Sequence, residues 1–526
     1  MASEPLEIRL EPARIDPARV VLAAGCALWI AVLIPALFES LWLDEAASWW
    51  LVAGGGGEIL DRWRQWPYQS LPHSVIVWLA AALPGPRELA PRIPSVVAAV
   101  ACLVVFHRLA LRLVGRFGAV VALLVVLGRN DFFYAASMSR PYAFGLLALL
   151  VSWLALVRSH ETGSARQLVL WAVSSALVPW FQVLLTLGLV AQLPYLIRAL
   201  RRSDHPRRFA FAIASAVAAG LVAPLAGSIA TLIQLGAGLS SVSPPTFAAL
   251  CAAVVPPTTS VALLAGLGFG YAIEGRLRLD FSARLPDAAW VALPLWIFPV
   301  LGAALASWLA STQLFVSHYL VAGGFGLALA AGALADRVVD GRARLAIAVC
   351  FLLLVPLTAP FSGWPRDGTD WKRALSVADR VAQETGSPLL VPSWFVESRE
   401  RREAAELAPG GRLLAPLSFY PVSSRVVGLP YLCNAVGREA LDELWRQPWF
   451  ASRPGGILLH HARSGYAQCL RNLHPDLVQR DVAAWGPLRM TILEFTPNAP
   501  AGSIADGGVR SGRTLLPPRA QRAFPQ

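Results

Sequence analysis

Apolar residues fill the first two-thirds of the chain in long runs separated by short polar intervals. Runs at 20–38, 92–114, 117–128, 141–157, 168–181, 183–198, 209–233, 247–272, 288–310, 314–335 and 345–361 predict about eleven transmembrane helices. A helix needs roughly 20 apolar residues to cross a bilayer, so 117–128 and 168–181 require extension into their loops or a thinned membrane. The apolar stretch 70–83 is too short to cross and reads as an interfacial helix within a long first loop, 39–91. Beyond Pro360 the pattern changes. Trp371 to Thr385 and Ala435 to Trp445 have helical periodicity, while Pro388 to Pro392, Gly456 to His460 and Met490 to Phe495 read as strands. The expected fold class is an all-α polytopic membrane domain (20–361) with interfacial helices in its first external loop, followed by a small soluble α/β domain (362–496). Residues 1–19 form a cytoplasmic N-terminal segment in this reading. Residues 497–526, rich in Gly, Pro and Arg without periodicity, form a disordered tail.

Composition supports a membrane protein. Of 526 residues 56% are hydrophobic and only 15% charged, more apolar surface than a soluble domain can bury. The net charge of +12 does not point to nucleic acid, because the arginines of the first two-thirds cluster in short loops between apolar runs. Arg112 and Arg116, Arg158 and Arg166, Arg198 to Arg208, Arg276 to Arg284 and Arg337 to Arg344 all fall on one side when the runs are counted from a cytoplasmic N-terminus. This is the positive-inside pattern. It predicts a multi-pass protein of the cytoplasmic (inner) membrane with an odd number of spans and an external, periplasmic C-terminal domain. The first run is too long for a signal-peptide core and no cleavage site follows, so it reads as an uncleaved span. Cys26, Cys102, Cys251 and Cys350 lie in apolar runs. Cys433 and Cys469 share the soluble domain in an oxidising compartment, which suits a disulfide.

Polar residues with chemical potential gather at the external face, while the spans are almost free of ionisable groups. At the end of the first span stand Asp44 and Glu45, flanked by Trp42, Trp49 and Trp50; the same loop carries Arg62, Arg64 and His73. A carboxylate at mid-membrane costs roughly 2.5–3.5 kcal/mol, so an interfacial position is the favourable one. These acids would equally serve to cap an amphipathic helix. The second external loop carries Asp131, Tyr134, Arg140 and Tyr142, and a third cluster, Ser317, His318 and Tyr319, opens a late span. Arginines here can hold a phosphate while a carboxylate takes a proton from an attacking hydroxyl. The carboxylate pair could hold Mg²⁺ or Mn²⁺, but no metal-ligand spacing demands it. Transporters driven by protons or ions carry mid-membrane carboxylates, which this chain lacks.

The order Leu-Trp-Leu-Asp44-Glu45-Ala, Ser70-Leu-Pro72-His73, Glu88-Leu-Ala-Pro-Arg92-Ile-Pro-Ser95, Ser139-Arg140-Pro-Tyr142, Ser317-His318-Tyr319-Leu and Asp370-Trp371-Lys372 resembles the GT-C superfamily of membrane glycosyltransferases. The branch it is most similar to includes protein O-mannosyltransferases and bacterial aminoarabinose transferases. The resemblance implies sugar transfer from a polyprenyl-phosphate donor to a glycan, lipid or protein acceptor at the external face, by an inverting displacement with Asp44 as general base. Glu45 beside it and Asp131, in place of the family's second acid, complete the catalytic candidates. Arg62, Arg64, His73, Arg140, Tyr142, His318 and Tyr319 are the substrate-binding candidates, with Arg140 assigned to the carrier phosphate. The chain departs from the family pattern at Leu71-Pro72-His73-Ser74, at Met138-Ser139 and at His318, which implies a different donor or acceptor, or a member that has lost catalysis. The competing classes are a lipid or polysaccharide flippase and a non-catalytic envelope-assembly protein on the same scaffold.

Overall fold

The computed structural model describes residues 16–67, 69–230, 244–280, 285–310, 314–358, 369–399, 405–451, 455–462, 464–485 and 487–495. The expected N-terminal segment before residue 16 and the expected tail at 497–526 lie outside the described residues. The first helix, α1 (Pro17–Leu37), starts at the side chain of Asp16, which accepts the Ala18 N–H at 3.0 Å, with Pro17 as its first residue. Its buried positions Val21, Gly25, Trp29, Leu33 and Leu37 recur every four residues. One stripe packs inward, and the remaining apolar face is left for lipid.

The first loop folds into short helices α2 (Leu43–Trp50), α3 (Ile59–Gln65) and α4 (Leu71–Ala80). At 1.5 Å per residue, α4 is about 15 Å long, half the hydrocarbon thickness. Next comes α5 (Ile93–Leu127), where the backbone breaks at Gly115 with φ 80° and ψ −178°. The two runs expected at 92–114 and 117–128 are thus two helices joined at one residue. Both ends of this element return to the same end of the domain. Arg92, before it, binds Glu45, and Tyr134, after it, packs 6.4 Å from Trp42. Only glycine suits the break, since a Cβ at Gly115 would lie 2.6 Å from Asp336 Oδ2 in a positive-φ backbone. The returning helix then packs closely on Val321–Ala335, where Gly118 and Gly332 let the backbones meet.

Next follow α6 (Asn130–Ser137), α7 (Tyr142–Thr162) and α8 (Ala165–Phe181), then helical segments over Val183–Arg202, His205–Ala230, Phe247–Val254 with Pro257–Glu274, Leu285–Ala310, Val321–Ala335 and Gly341–Thr358. Each expected apolar run therefore has a helical counterpart among the described residues. Among the described residues, six helices are long and apolar enough to cross a membrane, or seven if the pair bent by 43° at 254–257 is one span. This is fewer than the expected eleven. The two halves of the broken α5 form one continuous helical element, and α8 (17 residues) and Val321–Ala335 (15 residues) are shorter than an ordinary span.

Among the described residues, the C-terminal region contains a five-stranded sheet in the order β2-β1-β3-β5-β4, with β1 (Leu389–Pro392), β2 (Val426–Leu429), β3 (Gly455–His461), β4 (Leu477–Trp485) and β5 (Leu488–Phe495). β1 runs parallel to β2 and β3, whereas β3, β5 and β4 are antiparallel. Alternate residues serve two cores. Leu389, Val391, Ile457 and Leu459 pack under helix Trp371–Thr385, while Leu390, Leu458 and Leu493 pack with Leu441, Leu444, Tyr466 and Leu470 on the other face. A sheet covered on both sides needs apolar residues in both phases. Cys433 and Cys469 are joined in a disulfide beside this second core.

The C-terminal region grips the first loop. Leu41 N–H donates to Tyr420 Oη at 2.8 Å, Trp50 Nε1 to Gly410 O at 2.7 Å and Arg412 Nη1 to Gln65 O at 2.7 Å. Lys372 Nζ lies 2.8 Å from Glu88 Oε1. Trp66, Phe395, Leu413 and Ala47 belong to one shared apolar cluster.

Candidate active site

Asp44 and Glu45 are the second and third residues of α2, and successive residues on a helix point about 100° apart. That offset gives them different surroundings. Glu45 is 0% exposed. Its oxygens accept the N–H of Trp42 (3.0 Å) and of Ser139 (2.7 Å), and the Nε–Nη2 edge of the Arg92 guanidinium, from Nε (2.8 Å) and Nη2 (2.6 Å). Arg92, equally buried, also donates to the carbonyls of Ala36, Leu37, Glu39 and Ser40 at 2.7–3.3 Å. Several of these are the carbonyls that the end of α1 leaves without helical partners. One buried ion pair therefore fixes the end of α1, the start of α2, the start of α5 and the loop before α7.

Asp44 faces outward with its side chain 35% exposed. Its neighbour is Arg140, whose Nη2 lies 3.8 Å from Asp44 Oδ2. Arg140 is held from behind, since Nη1 donates to Asp44 O (3.0 Å), Ser48 Oγ (3.3 Å) and Gln69 Oε1 (3.0 Å). Its Nε is buried without a hydrogen-bond partner. An aromatic group surrounds this pair. Arg140 stands 5.8 Å from the Tyr142 ring centre; Tyr134 stacks on His318 at 4.6 Å and lies 5.5 Å from Tyr142; Tyr319 packs 4.4 Å from His318. Burial, reinforced by the charge of Arg140, lowers the His318 pKa to about 4, with Asp131 opposing, so the imidazole is neutral at pH 7. Burial raises the Tyr134 phenol well above its ordinary value. His73 is buried behind Arg140, packs against Phe144 at 5.9 Å and has no partner at Nε2; burial and Arg140 lower its pKa to about 3.

Of the expected residues, Asp44, Glu45, His73, Arg140, Tyr142, His318 and Tyr319 come together. The other three are placed elsewhere. Asp131 is paired with Arg129 and accepts the Phe132 N–H at 2.8 Å; with Arg129 it borders a separate cavity of about 330 Å³ walled by Trp296, Val300 and Leu327. Arg62 bonds Trp50 O at 2.6 Å and Glu58 at 2.9 Å, at the opposite end of α2 from Asp44. Arg64 pairs at the surface with Asp61. Both stand in the expected loop, but α3 carries Arg62 to a cleft lined by Glu406 and Arg412 and leaves Arg64 at the surface. Arg92 and Tyr134, present in the sequence motifs and clusters but given no role there, and Ser48 and Gln69 also belong to the site. For Arg92 the signal was a cation directly ahead of an apolar run at the membrane face. A metal held by the Asp44–Glu45 pair does not fit, because Arg92 and two backbone N–H groups already occupy Glu45. Among the described residues no three or more His, Cys, Asp or Glu side chains converge on a metal position.

No protein-family model matches the sequence, and no curated protein is detectably similar to it. Solved structures do match. ArnT from Cupriavidus metallidurans bound to undecaprenyl phosphate aligns over 90% of this chain and 97% of its own, with TM-score 0.50 and 12% identity. The chain has the fold of ArnT. The apo state of the same ArnT aligns over 91% and 98%, with TM-score 0.51 and 12% identity. Arabinosyltransferase EmbB from Mycobacterium smegmatis aligns over 79% of this chain and 37% of its own, with TM-score 0.35 and 16% identity. The GT-C likeness expected from the motifs is thus found at the level of the fold, in ArnT.

Proposed function

We propose that the protein is a membrane glycosyltransferase that moves a sugar from a polyprenyl-phosphate donor to an acceptor hydroxyl at the external face of the inner membrane. The observation that carries this reading is the solvent-reaching Asp44 carboxylate beside Arg140, within a cluster whose other polar groups are buried or half-buried. The ArnT-like fold supports it, since that ArnT structure is bound to undecaprenyl phosphate. In this reading the acceptor oxygen bonds to the anomeric carbon as the carbon–oxygen bond to the phosphate breaks. The electron pair leaves on the phosphate, and Asp44 takes the acceptor's proton. A single displacement inverts the anomeric centre. Arg140 meets the departing phosphate through Nη2, on the side of Asp44, because Nη1 is committed to Asp44 O, Ser48 and Gln69. Neutral His318 and the tyrosines supply ring faces and hydroxyls around the sugar without adding charge. Glu45 acts as a positioning residue, and no step passes through Asp131.

The test is transfer of label from a polyprenyl-phosphate sugar in membranes. Asp44→Asn keeps size and hydrogen bonding but removes the base, and transfer should fall about 10²–10⁴-fold with donor binding retained. Arg140→Lys keeps the charge but loses the fork, and should raise the donor KM more than it lowers kcat. Near-normal turnover by Asp44→Asn would remove Asp44 from the chemistry.

A further inference from the structure

A second polar cleft, of about 770 Å³, lies between α3 and the soluble region. Its walls carry Glu58, Asp61, Arg62 and Gln65 on one side and Glu406 and Arg412 on the other, with Trp50 at its base. The volume falls within the roughly 300–1,000 Å³ of ordinary ligand sites. Arg412 is only 6% exposed. It donates to Gln65 O at 2.7 Å and pairs with Glu406, yet its Nε has no hydrogen-bond partner; Glu406 Oε2 is likewise buried and unpartnered. A buried donor and a buried acceptor thus stand side by side in the wall of an accessible cleft. One chemical group completes both, since a hydroxyl donates and accepts at once.

We propose that this cleft binds the saccharide part of the acceptor, an inference that rests on the transferase reading above. Each carboxylate of the walls is paired with a guanidinium (Glu58 with Arg62, Asp61 with Arg64, Glu406 with Arg412), so the cleft has no spare positive charge for a polyanionic glycan and suits a neutral or amino-sugar one. The cleft is coupled to the reaction centre through α2. Trp50 bonds Arg62 through its carbonyl and Gly410 through Nε1, at 2.6 and 2.7 Å. Asp44 lies six residues earlier in the same helix, about 9 Å along its axis. An oligosaccharide seated between Arg412 and Asp61 would therefore lie at the far end of the helix that carries Asp44.

The full chain in detergent is tested for retention of envelope glycans from the source cells, separated by ion exchange into neutral, amino-sugar and acidic pools. Asp61 is exposed and paired only with Arg64 at the surface, so Asp61→Trp fills the cleft without disturbing a core. Wild type should retain the neutral or amino-sugar pool, Asp61→Trp at least tenfold less, and Asp44→Asn as much as wild type. In the transfer assay Asp61→Trp should raise the acceptor KM and leave the donor KM unchanged. Preference for the acidic pool, retention of no pool, or retention insensitive to Asp61→Trp would each overturn the assignment. Binding decides the cleft, whereas turnover by Asp44→Asn decides the transferase reading, so the two can fail separately.

Discussion

The Glu45–Arg92 pair separates a structural acid from a chemical one, and its energetics can be worked from the contacts. Removing one member of a buried ion pair typically costs about 3–5 kcal/mol, because the survivor is left charged and unpaired. Arg92→Met strands the fully buried Glu45 carboxylate and also releases four backbone carbonyls at the end of α1. It should fall at the upper end of that range. Glu45→Gln leaves Arg92 with those carbonyls and an amide oxygen, so about 1–3 kcal/mol is expected, the cost of an imperfectly satisfied buried polar group. The double variant removes both charges and should cost less than the sum of the singles, a coupling that a double-mutant cycle measures. Unfolding of a membrane protein this large is treated as a rate, so the assay is the half-life of the monodisperse species in detergent at fixed temperatures. The expected order of lifetimes is wild type, Glu45→Gln, then Arg92→Met. The reasoning is refuted if the singles add without coupling. It is equally refuted if Glu45→Gln keeps wild-type lifetime while losing transfer as completely as Asp44→Asn.

Two further outcomes are expected. An unfolded histidine titrates near 6.5, whereas His318 and His73 are lowered to about 4 and about 3; below 6.5 the unfolded chain binds more protons, so stability should fall as pH drops from 6.5 toward 4. His73→Gln and His318→Gln should each flatten that slope in pH-dependent thermal unfolding, and an unchanged slope would reject the burial argument. The disulfide closes a separation of 36 residues, for which the chain-entropy estimate is about 4 kcal/mol. Reduction should lower the soluble region's unfolding temperature and shift the gel mobility of the wild type but not of Cys433→Ser, and two free thiols under non-reducing mass spectrometry would exclude the bridge.

Much of the architecture could be read from periodicity alone. Helices form at Trp371–Thr385 and Ala435–Trp445 because amphipathic spacing and a cap agree there. The ten-residue α4 was visible as an apolar run too short to cross. Strands β2 and β4 were not anticipated. Val426–Leu429 is only four residues long, and β4 is a largely exposed edge strand with a bulge between Asp481 and Ala483, so neither carries a clean alternation. The cluster at Asp44 was legible as a concentration of acids, arginines and tyrosines in two loops. What a linear sequence could not give was the sorting of those residues. Arg62 and Arg140 look alike in composition, yet α3 directs one toward Trp50 O and the α6–α7 connection directs the other beside Asp44.

That sorting follows from one property of α2. Two adjacent acids at a helix start would repel each other if both faced the same medium. The helical offset places Glu45 inward, where Arg92 neutralises it, and Asp44 outward, where it remains accessible. The buried acid's second partner is the backbone N–H of Ser139, one residue before Arg140. Glu45 therefore holds the segment that presents Arg140, and Arg140 in turn grips Asp44 O, Ser48 and Gln69. A charge removed at Glu45 thus reaches the Asp44–Arg140 geometry through two successive hydrogen bonds. Its effect on transfer should follow the stability loss and appear in donor KM as well as kcat, whereas Asp44→Asn acts on kcat alone. In the proposed reaction the acidic pair divides its work between a buried anchor, Glu45, and an accessible base, Asp44, and that division is why the two are not interchangeable despite being neighbours.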